Sequence, residues 1–347
     1  MSQLITGIQQ VGIGVTDIDT KWKIYRNAFG TDISVFDDIA EASLMTSYTN
    51  DEVHSRRAVL ALNLNGGGGF EIWQFKSRTP ENPGFKPKMG DLGINAVKLK
   101  TKNVEKTWKH LTTVSELTVT EPKKAPDGNL TALATDPNGN RFQIVRGDSW
   151  FSKKADAGGV CGVIIGVSDI DAVLPLYQKA FEFNQVIYDE TGVFEDLQSP
   201  HQFRRILLRK PQKDEGAFSR LFGHVDIELI QLMDAEPRKI YENRLWGDPG
   251  FIHVCFDVTD MDRLKQRCAD LGYPFTVDSG STFDMGETSG RFAYIEDPDG
   301  TLIEFVQAHK LPLLKKIGWN LDLVNRKEQK PIPDWILRMM RLNRVKE

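Results

Sequence analysis

The chain repeats itself. Residues 8–19 read IQQVGIGVTDID and residues 160–171 read VCGVIIGVSDID. A second pair of echoes, DPNGN at 136–140 and DPDGT at 297–301, falls at a similar separation. Self-similarity over this distance constrains the fold before any local signal does, because each copy must find the same kind of structure. The sequence therefore divides into two similar halves, each holding two units.

One unit can be read residue by residue. Over 8–15, Val11, Ile13 and Val15 alternate with Gln10, Gly12 and Gly14, which predicts a strand with one apolar face. Asp17 or Asp19 offers a helix N-cap, and Trp22, Tyr25, Ala28 and Phe29 then follow at helical spacing until Gly30 stops the helix. Short strands are expected near 34–36, 58–63 and 70–75, with the glycine run 66–69 as the turn between the last two. The pattern is β-α-β-β-β. It recurs with helices expected at 104–114, 172–181 and 261–271, and Gly158–Gly159 reads as the linker between halves.

Composition excludes several classes. The 347 residues suggest about two domains, with 40% hydrophobic and 27% charged residues, ordinary for a globular chain. A net charge of −4 provides no bulk basic field for nucleic acid. Cys161, Cys255 and Cys268 form no CxxC pair, which argues against a disulfide scaffold and for a reducing compartment. No run approaches the ~18 apolar residues of a membrane span, and the first residues lack a signal-peptide pattern. The expectation is a cytoplasmic protein with no membrane partner.

Four β-α-β-β-β units, with the strings VTDID, HVCFDVTDMD and DPDGTLIEF in their places, resemble the vicinal oxygen chelate superfamily over about residues 4–309. This superfamily includes glyoxalase I, methylmalonyl-CoA epimerase, fosfomycin-resistance proteins and extradiol dioxygenases. The resemblance implies an α+β fold: tandem glyoxalase-like domains, each of two modules curled into a half-open sheet, at 1–151 and 158–309, followed by a helical tail at 310–347. It also implies one metal ion held by side chains from the first and last strand of each paired unit.

Those positions can be tested one at a time. In the second half they are Glu228 in DIELIQL, His253 in FIHVCFDV, Glu304 in TLIEFVQ, and Gly162, which cannot ligate. The period of two supports them, since Val254, Phe256 and Val258 then face the opposite side from His253. In the first half the positions are Gln10, Glu71, Ala96 (Asn95 if the strand slips by one) and Gln143, a poor donor set. The expectation is a metal site at Glu228, His253 and Glu304, binding Zn, Ni, Co, Mn or Fe, and a vestigial first half. Glu228 or Glu304 would act as base.

Other residues are weaker candidates. Arg291, Tyr294 and His201 can contact substrate. The bland alternative for His201 is a loop histidine, since His54 precedes Arg56–Arg57 at the matching place in the first half. The tail carries ten Lys/Arg against four Asp/Glu. Pro331, Pro333 and Asp334 open a helix with an apolar stripe of Trp335, Ile336, Met339, Met340 and Leu342. It is expected to dock on the acidic body or on a second subunit of a homodimer rather than on a membrane.

Three functions follow from the resemblance. The first is a divalent-metal-dependent lyase or isomerase of the glyoxalase or epimerase kind, moving a proton on a small carbonyl or carboxylate compound. The second is an extradiol-type ring-cleaving dioxygenase, against which the missing second histidine counts. The third is a non-catalytic small-molecule binder.

Overall fold

The computed structural model describes residues 3–345, apart from 155, 281–282, 286–287, 316–317, 325 and 327–329. Parts of the expected pocket loop at 278–290 and of the tail lie outside the described residues.

Each unit begins as its sequence predicts. Unit one holds β1 (Ile5–Gly14), α1 (Ile18–Phe29), β2 (Ile33–Glu41), β3 (Ser55–Leu62) and β4 (Gly69–Phe75). Of the two possible caps, Asp17 is the one used: its carboxylate accepts from the Asp19 and Thr20 amides, and Gly30 closes α1 at φ 64°. Unit two holds β5 (Gly93–Thr101), α2 (Val104–Leu111), β6 (Thr118–Val119), β7 (Lys123–Lys124), β8 (Leu130–Thr135) and β9 (Arg141–Arg146).

Unit three holds β10 (Ala157–Gly166), α3 (Ile170–Pro175), β11 (Gln185–Gly192), β12 (Phe203–Lys210), the single turn α4 (Ser219–Phe222) and β13 (Val225–Leu232). Its helix is shorter than expected. Pro175 brings no N–H, and the chain passes into a π-helical stretch over Leu176–Ala180. Unit four holds β14 (Gly250–Val258), α5 (Met261–Asp270), β15 (Val277–Asp278), β16 (Phe283–Met285), β17 (Thr288–Glu296) and β18 (Leu302–Leu314). Beyond it lie β19 (Trp319–Asp322) and α6 (Asp334–Met339).

The strands form two curled sheets in an α+β fold, each built from two units. The units that pair are not neighbours in sequence. One sheet runs β15-β17-β18-β14-β1-β4-β3-β2, joining unit four to unit one through the antiparallel pair β14 and β1. The other runs β11-β12-β13-β10-β5-β9-β8-β6, joining unit three to unit two through β10 and β5. Each half of the sequence thus gives one unit to each sheet.

The helices fill the space between the sheets. Tyr25 of α1 meets Phe70 of β4 at 5.5 Å and Phe142 of β9 at 5.4 Å, so one helix packs on both sheets. Phe181, at the end of unit three's helical stretch, meets Phe256 of β14 and Phe305 of β18, both in the first sheet. One continuous apolar cluster results, and it fixes which face of every strand is left for chemistry.

The glycine runs join the two sheets at inner strands. Gly68 pairs with Val160, and a Cβ on Gly159 would stand 2.2 Å from the Gly68 carbonyl oxygen. Gly158–Gly159 is therefore part of β10, at a close backbone approach that no larger residue permits, rather than a linker.

The tail docks on its own chain. Ile332, Leu337 and Met340 are buried, Arg338 lies over the Phe151 ring, and Arg344 pairs with Asp32. The buried stripe differs from the expected one: Trp335 and Leu342 face outward, because Leu337 takes the inward position. No helix among the described residues is long and apolar enough to cross a membrane.

Candidate metal centre

The four central strands of the first sheet, β18-β14-β1-β4, each send one polar side chain to the face away from the helices. These are Glu304, His253, Gln10 and Glu71. Their neighbours Ile303 and Phe305, Val254 and Phe256, Val11 and Ile13, and Phe70 and Ile72 are all buried on the helix side. Alternation on each strand thus separates core from cleft.

The side chains converge. Glu71, His253 and Glu304 each offer a donor atom within 4.8 Å of the others. His253 Nε2 lies 3.0 Å from Glu304 Oε2 and 3.5 Å from Glu71 Oε2. The Gln10 amide nitrogen stands 3.1 Å from His253 Nε2 and 2.8 Å from Glu304 Oε2. The imidazole rests on Gly12, where a Cβ would approach its Cε1 to 2.5 Å. On its far side the Tyr294 hydroxyl is 3.4 Å from Nδ1.

Electrostatics set the demand for a cation. Burial alone would push the His253 imidazolium down, but the charge and hydrogen bond of Glu304, then of Glu71, outweigh it and hold the group up at about 9. Glu304 and Glu71 thus favour positive charge at this position.

The residues present fit a divalent ion. Gln10 Oε1 is buried without a partner, and turning the amide over would aim that oxygen at the cluster. One imidazole, two carboxylates and one amide oxygen are donors that borderline and hard divalent metals accept. The Tyr294 hydroxyl can fix the ring orientation from behind, as partners of ligating histidines commonly do.

The sequence-derived site is thereby redrawn. His253 and Glu304 meet, but Glu228 belongs to the other sheet, on β13. Its place is taken by Glu71, and the fourth position is Gln10 rather than Gly162. The reason is the pairing of β14 with β1 instead of β10. Gln10 and Glu71 were legible as cleft-facing residues; what the sequence did not show was which cleft they share.

The second cleft holds the remaining positions, Ala96, Gln143, Gly162 and Glu228, and it is filled. Lys98 Nζ stands 2.7 Å from Glu228 Oε2 and donates to Gln143 Oε1 at 2.9 Å. Arg205 donates to Glu228 Oε1 at 2.6 Å and to both Asp196 oxygens. Burial opposes the Glu228 charge, but Arg205 and Lys98 win and hold its carboxyl at about 2. Two side-chain cations balance two carboxylates here, whereas in the other cleft His253 stands between Glu71 and Glu304. Lys98 in GINAVKLKT and Arg205 in FRRILLRK, both buried cations, were the residues that could have signalled it.

Of the other candidates, Tyr294 lines the first cleft. Arg291 lies at its rim, but its guanidinium shares a strand face with Ala293 and Ile295 and is held by Asp278 and Asp262. His201 sits at the start of β12 in the other sheet, paired with Asp234 at 3.1 Å. The first cleft is walled by rings: Trp73 and Trp246 meet edge to face at 4.7 Å, Trp246 meets Tyr294 at 6.3 Å, and Tyr294 meets His253 at 5.4 Å. Trp73, two residues after Glu71, falls on the cleft face by the same alternation, whereas Trp246 stands outside the strands and has no such signal.

The family model for the Glyoxalase/Bleomycin resistance protein/Dioxygenase superfamily matches residues 7–144 and 161–305, and the chain belongs to this superfamily. Among solved structures it is similar to glyoxalase I from Zea mays, with 16% identity and a TM-score of 0.51 over 87% of this chain and 92% of that one. A point mutant of the same maize enzyme gives 15% and 0.54 over 87% and 93%. A putative dioxygenase from Bacillus subtilis gives 14% and 0.55 over 88% and 86%. At such identities the likeness shows a common fold. No curated protein sequence matches the chain.

Proposed function

We propose that the chain is a divalent-metal-dependent lyase or isomerase that moves a proton beside the carbonyl of a small molecule. The observation that carries this reading is the convergence of Glu71, His253 and Glu304 on the Gln10 side-chain amide, whose nitrogen they contact and whose oxygen is buried without a partner. Glu71, His253, Glu304 and Gln10 would hold the ion. When bound, it supplies Lewis acidity, drawing charge from a carbonyl oxygen and acidifying the neighbouring C–H.

The protein's own residues do the rest. Glu71 is the more loosely held carboxylate: its contacts to His253 and Gln10 are 3.5 and 3.4 Å, against 3.0 and 2.8 Å for Glu304. It is also the more exposed toward the cleft, so Glu71 Oε2 is placed to take a proton and return it. Glu304, pinned by Gln10 and His253, keeps the geometry. The aromatic wall excludes water that would quench a carbanion. Ring cleavage with oxygen commonly uses two imidazoles and one carboxylate, and this cluster has one imidazole.

Elemental analysis of untagged protein, wild type and His253→Ala, tests the proposal. About one equivalent of Zn, Ni, Co or Mn, lost in the variant, is expected. Protein that takes up no divalent ion when offered it would leave a non-catalytic binder.

A further inference from the structure

We infer that this centre takes a bulky apolar carbonyl compound, and that the C-terminal segment beyond the family-matched residues forms the wall that selects it. The inference deepens the proton-transfer reading and rests on it.

The cleft over the cluster offers about 140 Å³ to the centres of water-sized spheres. Trp73, Trp246 and Tyr294 line one side. Leu311 and Met340 line the same cleft, and both lie past residue 305, where the family match ends. β18 runs on to Leu314 and β19 pairs with that extension, which places Leu311. Met340 follows α6, whose Leu337 is fully buried and whose Arg338 donates to the Phe151 carbonyl. Beyond Met340, Arg344 pairs with Asp32, so the tail is anchored on both sides of the residue it presents.

Charge at the rim is already engaged. Arg56 pairs with Asp38, and Arg291 with Asp278 and Asp262. Neither arginine is offered to a phosphate or carboxylate. Besides Gln10 Oε1, two buried polar atoms of the described cleft-lining residues lack partners: Trp246 Nε1 and Thr288 Oγ1. A buried donor without an acceptor is costly, so a ligand oxygen is the natural partner for the indole N–H. The geometry describes a molecule with an apolar, ring-sized body, a carbonyl end toward Glu71 and His253, and a further oxygen. A small hydrophilic compound would leave the aromatic wall wetted and gain nothing from it.

Calorimetric titration of zinc-loaded protein with 2-hydroxyacetophenone and with hydroxyacetone, which differ by phenyl against methyl, tests this. The aryl ketone is expected to bind at least about tenfold tighter, the scale on which apolar pockets discriminate. Met340→Trp, which fills the wall, is expected to abolish that preference without changing zinc affinity, whereas Leu342→Trp on the exposed side is not. If Met340→Trp folds poorly, Met340→Ala is read instead, with a several-fold loss of aryl affinity. Equal binding of both ketones by protein that holds zinc, or unchanged aryl affinity in the Met340 variants, overturns the inference. Aryl-selective binding by protein that takes up no zinc upholds the wall and removes the metal reading.

Discussion

Gln10 and His253 are separated by 243 positions, yet the Gln10 amide nitrogen and His253 Nε2 stand 3.1 Å apart. The contact exists because β1 and β14 pair antiparallel, with Gly12 opposite His253 and Gln10 opposite Cys255. The candidate centre is therefore made from the two ends of the chain, and neither half of the sequence contains it.

Gly12 is the seat of the imidazole. A Cβ there would lie 2.5 Å from Cε1 and 2.8 Å from Nε2 of His253. Gly12→Ala is expected to tilt the ring and weaken metal binding by ~10–100-fold, as loss of a supporting contact commonly does. Titration with zinc in competition with a chelator measures it. An unchanged affinity would show that the ring is placed by something else.

Glu71 and Glu304 are expected to separate in their effects. Glu71→Gln should retain most of the metal and lose turnover, by ~10²–10⁴-fold for a lost general base. Glu304→Ala should lose the metal itself. Elemental analysis beside kinetics distinguishes them, and equal metal loss in both variants would argue against Glu71 as the base.

The filled cleft makes a prediction about acid stability. Glu228 is held at about 2, below the ordinary 4.5 of a glutamate, by Arg205 and Lys98 against the cost of burial. A carboxyl lowered in the folded state contributes stability that is fully present above pH ~4.5 and is lost as pH falls toward about 2. Glu228→Gln should flatten the stability profile in that window. At pH 7 it should destabilise by ~3–5 kcal/mol, because Lys98 and Arg205 keep their charges with one fewer counter-ion. Urea melts across pH 2–7 check both, and zinc affinity should not move, since Glu228 is in the other sheet.

The docking of the tail can be tested by contrast. Leu337 is fully buried and Trp335 is 64% exposed. Leu337→Ala is expected to destabilise by ~2–4 kcal/mol through lost burial and a residual cavity. Trp335→Ala should stay within ~0.5 kcal/mol. The reverse ranking in thermal melts would mean that the stripe read from the sequence, with Trp335 inward, is the true one.

Arg291 is expected to serve the scaffold. Its three contacts are to Asp278 and Asp262, on the helix side of β17. Arg291→Met should cost about 1 kcal/mol, in the range of partly exposed ion pairs, and leave KM unchanged. A large rise in KM would place it at the substrate.

What the sequence determined by itself was every unit and every strand face. The repeat at 8–19 and 160–171 fixed four similar modules. The period of two put Gln10, Glu71, His253 and Glu304 opposite their apolar neighbours, because burial of Val11, Phe70, Val254 and Phe305 leaves the alternate positions no other side. Local pattern ends there. The first strands of the four units are alike in composition and alternation, so each can accept any other as a partner. The choice of β1 with β14 and β5 with β10 was decided in tertiary structure, by helices such as α1 that pack on both sheets and by the glycine contacts between Gly67–Gly68 and Gly159–Val160. That choice moved Glu71 into the candidate centre and left Glu228 to Lys98 and Arg205. It is a property of contacts between residues far apart in the chain, which no spacing within one unit encodes.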